Sequence, residues 1–185
     1  TAGRLAFCHN GYVAGFGKIK RALRTRLSDT AYSRIEGSTD SEHIFALILD
    51  RLEAVGEVTL QSMREAMHAS IREVLRLCAA ANVREPCQLN LALTDGVQAV
   101  ACRFSDGDPA AANTLFVHAG RAYTCDEGVC RMLDADAGQG SVLVASEPLS
   151  DDPGWETVPV GAFVTVDADR RVAVERMTFD DVAVT

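Results

Sequence analysis

Apolar residues recur at helical spacing in three stretches of the chain. Phe16, Ile19, Leu23 and Leu27 predict a helix over residues 16–27 with a basic opposite face. Thr39-Asp40-Ser41-Glu42 then has the form of a capping box. The Thr39 hydroxyl can accept from a first-turn amide, and Glu42 can reach back to the Thr39 N–H. Asp40 falls in the first turn, where the helix dipole favours a negative charge. The helix that starts there runs to about Leu52, with Ile44, Phe45, Ile48 and Leu52 facing the core. A longer helix fits residues 59–80 through Leu60, Met63, Met67, Ile71, Val74, Leu75 and Cys78. That stripe reads as core packing rather than a ligand box. The polar stretch 28–38 predicts a loop anchored by Tyr32 and Ile35.

Strand patterns flank this helical block. Residues 4–8 form a short apolar run suited to a buried strand, and Asn10-Gly11, which both tolerate positive φ, predict a tight turn after it. Beyond Pro86, residues 88–93 and 98–104 predict a hairpin through Thr94-Asp95-Gly96. Residues 114–118 and 121–123 predict a second, shorter hairpin around Ala119-Gly120. Residues 141–145 form an apolar strand, and residues 158–166 and 171–177 a last hairpin through Asp167-Ala168-Asp169. Helices in one block and strands in another predict an α+β arrangement rather than alternating parallel units. A length of 185 residues fits one domain, 1–185, and no repeat or linker divides it.

Composition narrows the function classes. A net charge of −8 argues against a nucleic-acid partner. Lys18, Lys20, Arg21, Arg24 and Arg26 read as a solvated helix face. No apolar run approaches the roughly 20 residues that span a bilayer, so no membrane partner is expected. The six cysteines, Cys8, Cys78, Cys87, Cys102, Cys125 and Cys130, include no C-x-x-C pair and no accompanying paired His pattern. They read as buried or half-buried thiols of a reducing, cytoplasmic compartment, with no metal. Cys8 and His9 are adjacent on a strand and point to opposite faces, so they do not form a catalytic dyad. His43 reads as a residue of the helix surface or one step removed from a site. His68 and His118 have no partner visible in sequence.

Three segments, taken in order, carry a family resemblance. They are Gly3-Arg4-Leu5 through Asn10-Gly11, Leu27-Ser28-Asp29 through Asp50, and Val144-Ala145-Ser146-Glu147-Pro148-Leu149 with Trp155 and Val158-Pro159-Val160-Gly161. Together they resemble the class II, N-terminal-nucleophile glutamine amidotransferase domain. The wording is that of the stand-alone members, such as the ergothioneine-pathway amidase and, more closely, the fungal glutathione-degradation subunit. Asn-Gly alone is usually a turn and a first-turn Asp alone is a helix residue; the joint occurrence carries the resemblance.

The resemblance implies a four-layer α/β/β/α sandwich of the Ntn-hydrolase type, of which this chain is the larger, C-terminal part, incomplete at its N-terminus. It implies that the Asn10 side-chain amide and the Gly11 backbone N–H form an oxyanion hole, and that Asp40 binds the α-ammonium group of the substrate. The family nucleophile is an N-terminal cysteine whose own α-amino group is the base. This chain begins Thr1-Ala2-Gly3-Arg4, so the cysteine, and an arginine for the substrate α-carboxylate, are expected on a separate N-terminal segment. Thr1 lies only nine residues before Asn10, on the same strand, and is not expected to replace it.

The implied function is hydrolysis of a γ-glutamyl amide: glutamine, glutathione or a γ-glutamyl thiol conjugate. The chain alone is expected to be inactive. The alternative is a non-catalytic γ-glutamyl-binding or regulatory module of the same fold. No cofactor is implied. The expected partners are a small-molecule substrate and the N-terminal segment, with a partner subunit as a further candidate.

Overall fold

The computed structural model describes residues 1–120, 122–133, 140–151 and 153–178. Strand β1 (Ala6–Tyr12) leads into helices α1 (Phe16–Arg24), α2 (Asp29–Ser33), α3 (Asp40–Val55) and α4 (Leu60–Ala80). Strands β2 (Gln88–Thr94), β3 (Ala99–Ser105), β4 (Phe116–Gly120), β5 (Ala122–Asp126) and β6 (Val129–Leu133) follow. The last are β7 (Ser141–Ala145), β8 (Glu156–Thr157), β9 (Ala162–Val166) and β10 (Val172–Arg176). Five strands form an antiparallel sheet in the order β1-β2-β3-β9-β10, and three form a second sheet, β7-β4-β8.

Period-two patterning of β2 explains the layering. Leu89, Leu91 and Leu93 face the helices, where they meet Ile44, Leu47 and Ile48 of α3 and Met63, Met67 and Ile71 of α4. Full burial of one such side chain is worth about 1.5–3 kcal/mol. A slip of one residue would put Gln88 and Asn90 against the helices, so this face sets the register. On the opposite face, Ala101, Ala162 and Val164 pack with Leu115, Val117 and Val158 under the second sheet. The described residues thus build helix, sheet and sheet layers, with α1, α3 and α4 together in one outer layer.

The capping box is present as expected. Thr39 Oγ1 accepts the Glu42 N–H at 3.3 Å, and Glu42 Oε2 accepts the Thr39 N–H at 3.3 Å. Thr59 and Ser62 cap α4 reciprocally. The first and last predicted hairpins, β2–β3 and β9–β10, are also present.

Six expectations are corrected. Asn10-Gly11 makes no turn: both lie inside β1, paired with Asn90 and Leu89. The chain turns at Val13–Gly15 instead, where Gly15 takes φ +55° and the Phe16 N–H bonds the Val13 carbonyl at 3.2 Å. Strand β1 is an edge strand with Cys8 exposed, not a buried one.

Helix α1 stops at Arg24, and the stretch taken as loop contains α2. Ser28 caps α2 through the Ala31 N–H at 3.2 Å, and Ala31 is its buried anchor; Tyr32 is 50% exposed. Five residues are too short to show a helical period.

The second predicted hairpin does not form, because β4 pairs with β7 and β8 while β5 pairs with β6. Glu127 and Gly128 take positive φ and supply the turn. Arg121 lies outside the described residues. Finally, Cys125 and Cys130, in register across that turn, form a disulfide rather than free thiols. Among the described residues no helix is long and apolar enough to cross a membrane, and no cluster of metal ligands forms.

Candidate functional site

Successive residues of a strand point to opposite faces, and β1 uses this to serve two environments. His9 points to the helix layer and Asn10 to the second sheet. The His9 side chain is 1% exposed. Its Nε2 lies 3.3 Å from the Gln88 carbonyl, which can only accept, so Nε2 carries the proton. Its Nδ1 lies 3.0 Å from the Ser41 hydroxyl and 4.0 Å from Asp40 Oδ1.

Asp40 opens α3, and its carboxylate turns inward toward β1. Oδ2 accepts the Val13 N–H at 2.8 Å, just beyond the end of β1, and Oδ1 accepts the Ser41 N–H at 2.8 Å. The Ser41 hydroxyl is also 3.3 Å from Oδ1. Two backbone donors and the positive end of the α3 dipole hold a negative charge at this spot.

Helix α1 braces the same helix start. Lys20 Nζ donates to the Ser38 carbonyl at 3.1 Å. Arg24 Nε donates to His43 Nε2 at 2.9 Å, which leaves His43 Nδ1 to donate to the Thr39 carbonyl at 2.7 Å. His43 is therefore a neutral, fully buried strut and not a surface residue. Its pKa is lowered, first by burial and then by the nearby Arg24 and Lys20 charges, against the raising effect of the Thr39 carbonyl. Glu42 is held below the usual carboxylate range: desolvation opposes this, but hydrogen bonds from Thr39 and Gly37 prevail. Two members of the basic cluster thus do structural work at the α3 start, while Lys18 and Arg21 are exposed as expected and Arg26, also exposed, pairs with Glu73 of α4 at 3.2 Å.

On the other face the Asn10 Nδ2 donates to the Ser146 hydroxyl. Ser146 directly follows β7, and its carbonyl accepts from Thr114 Oγ1 at 2.7 Å. Gly11 comes next in β1, at φ +144°. A Cβ there would sit 1.9 Å from the Gln88 carbonyl oxygen and 3.2 Å from His9 Nε2. Only glycine lets β1 approach β2 this closely. The structure thus brings Asp40 to the end of β1, beside His9, and takes the Asn10 amide to the inter-sheet side.

Other features lie apart from these residues. A groove along α3 is lined by Leu5, Phe45, Leu49, Arg34 and Glu42 and includes none of Asn10, Gly11 or Asp40. His118 packs edge-on against Trp155 at 5.2 Å, and His68 against Phe163 at 5.9 Å. Burial raises the Cys102 thiol to about 12, so it is inert at neutral pH. Sequence reasoning gives no role to Ser41 or Ser146, reads Lys20 as solvated, and offers for His43 a surface place or one a step removed from a site, of which the structure favours the second. Alternation along β1 was the available signal for His9. Nothing local marks Ser146 as the partner of a residue 136 positions away.

The class-II glutamine amidotransferase family model matches residues 2–182. The probable glutamine amidotransferase DUG3 of Saccharomyces cerevisiae is 34% identical over 176 residues, covering 88% of this chain and 49% of that protein. The chain therefore spans about half the length of this curated relative. Among solved structures, a glutamine aminotransferase class-II domain protein from Silicibacter pomeroyi superposes with a TM-score of 0.72 at 26% identity, over 98% of this chain and 70% of that one. The glutamine phosphoribosylpyrophosphate amidotransferase of B. subtilis gives a TM-score of 0.54 at 16% identity, over 95% of this chain and 30% of that one. At that identity the likeness concerns the fold alone.

Proposed function

The chain belongs to the class-II glutamine amidotransferases, and from that premise we propose that it supplies the oxyanion and ammonium sites of a γ-glutamyl amide hydrolase. The substrate class is glutamine, glutathione or a γ-glutamyl thiol conjugate. The observation that carries this reading is the Asp40 carboxylate, fastened to the Val13 N–H at 2.8 Å and so held at the end of the strand that bears Asn10 and Gly11. A free α-amino acid end offers an ammonium group to such a carboxylate, and charge-assisted hydrogen bonds are the strong kind.

In the proposed reaction the nucleophile is an N-terminal cysteine outside residues 1–185. Its α-amino group takes the thiol proton, and sulfur attacks the γ-carbonyl carbon. The resulting oxyanion is stabilised by the Asn10 Nδ2–H and the Gly11 N–H. The C–N bond then breaks, and the leaving amine takes the proton. Water hydrolyses the γ-glutamyl thioester to glutamate and returns the thiol. The segment carrying that cysteine would also complete the four-layer α/β/β/α sandwich.

The test is release of glutamate from glutamine, glutathione and γ-glutamyl conjugates by the full-length protein. Turnover that is lost when the N-terminal cysteine is replaced supports the reading. Tight binding of a γ-glutamyl ligand with no turnover would overturn it in favour of a binding module.

A further inference from the structure

Asn10 is exposed and sits on an edge strand, where a side-chain amide would ordinarily rotate freely. Here one of its two Nδ2 protons is committed to the Ser146 hydroxyl oxygen. Ser146 is held in turn. Its carbonyl accepts from Thr114 Oγ1 at 2.7 Å, and the Thr114 carbonyl accepts from Asn90 Nδ2 at 2.8 Å. Asn90 is the β2 residue directly opposite Asn10. The four residues therefore close a ring that leaves the first sheet, reaches the segment after β7 and returns.

The anchor of this ring is rigid. Arg103, in register with Asn90 on β3, donates to the carbonyls of Asn113 at 2.7 Å, Val158 at 2.8 Å and Ala112 at 3.2 Å. Gln88 Oε1 accepts the Asn113 N–H at 3.0 Å. A buried guanidinium cannot give up such acceptors without a large desolvation penalty. The segment leading into Thr114 is thus fixed from beneath, and Ser146 inherits that position.

Resting on the reading of Asn10 as an oxyanion donor, we infer that Ser146 is a positioning residue of that reaction. Its hydroxyl fixes the plane of the Asn10 amide, so the second Nδ2–H is already aimed when charge develops on the substrate oxygen. Donors that need no reorganisation during the reaction are the effective ones.

The test uses the full-length protein with Ser146→Ala, and Ser146→Thr as the variant that keeps the hydroxyl. Three quantities are read: steady-state hydrolysis of the best γ-glutamyl amide, the side-chain 15N–1H resonances of Asn10 without substrate, and the thermal midpoint. Ser146→Ala should lower kcat about 10- to 100-fold and leave KM within about twofold, because misplacement by a fraction of an ångström costs turnover and not capture. The Asn10 amide should lose its hydrogen-bonded proton shift and gain fast motion. Ser146→Thr should restore both.

An alanine variant with unchanged kcat, or with Asn10 resonances that do not move, overturns the inference. So does a parallel fall of kcat, rise of KM and drop in thermal midpoint, which marks a merely structural role. A wild-type protein that hydrolyses none of the amides overturns the functional reading instead. The Asn10 resonances then still decide whether Ser146 holds the amide.

Discussion

The two faces of β1 are built on different plans. On the helix side, Asp40 is held by backbone amides of Val13 and Ser41, and the helix it opens is capped, braced by Lys20 and Arg24, and backed by the buried His43. On the inter-sheet side, Asn10 relies on one side-chain bond to a serine just beyond the end of β7, a strand of the other sheet. Backbone donors survive every substitution except proline, and local caps form with the helix itself. A side-chain partner 136 residues away depends on the packing of two sheets. In the proposed reaction the first plan would suit a fixed charge that captures an ammonium group, and the second would place a neutral donor with an accuracy that matters only in the transition state.

The sharpest way to break the comparison is to remove each end in the full-length protein. Asn10→Ala should cut kcat by about 10²–10³, or about 2.7–4 kcal/mol, with KM little changed. Asp40→Ala should instead raise KM, by the loss of a charged hydrogen bond worth about 1.5–3 kcal/mol. Steady-state kinetics check both, and the reverse pattern would exchange the two roles.

Next in size is Gly11→Ala. Its Cβ would meet the Gln88 carbonyl at 1.9 Å and sit at φ +144°. Backbone strain of this sort costs on the order of 1–3 kcal/mol, so denaturant unfolding should show a loss of that size. An unchanged midpoint would mean that β1 and β2 are not so close.

Thr39→Ala tests the helix side by itself. Loss of the cap should destabilise the fold by about 1 kcal/mol and raise KM more than it lowers kcat, because Asp40 rides on the helix start. An equal effect on Ser146 and Asn10 would show that the two faces are not separate.

The smallest expected effect is a pH dependence. The folded-state pKa of His43 is lowered from its ordinary value of about 6.5, with burial as the leading cause. The unfolded state therefore binds the proton more readily. The stability His43 contributes is present above about pH 6.5 and is lost as pH falls through the lower folded value. Thermal midpoints across that window should fall in the wild type and change less in His43→Gln. A wild-type profile that is flat there would remove the neutral strut.

Helix α3 and its first residue are legible in the sequence, because a capping box is complete within four residues. The placement of Asp40 in a site came from the family resemblance, and its inward turn toward Val13 is a tertiary fact. Asn10-Gly11 shows the opposite case. The dipeptide is compatible with a turn, yet it lies in a paired strand because β2 was available to pair with it. The basic face of α1 was read as uniformly solvated, and two of its members are fastened to the start of α3. Helical spacing shows which residues share a face, but not what lies opposite.

What can be read within a few residues follows from the chain alone: the periods of α3 and α4, the cap at Thr39, and the turn at Thr94-Asp95-Gly96 that joins β2 to β3. Dihedral preference and hydrophobic period act over one or two turns of chain, so these features need no partner. Tertiary structure alone decided that β4 pairs with β7 and β8 rather than β5, that Cys125 meets Cys130, that His43 is buried under Arg24, and that Ser146 holds Asn10. Each of those choices is between partners that look alike in sequence. They are settled by which surfaces two packed sheets and one helical layer leave facing each other.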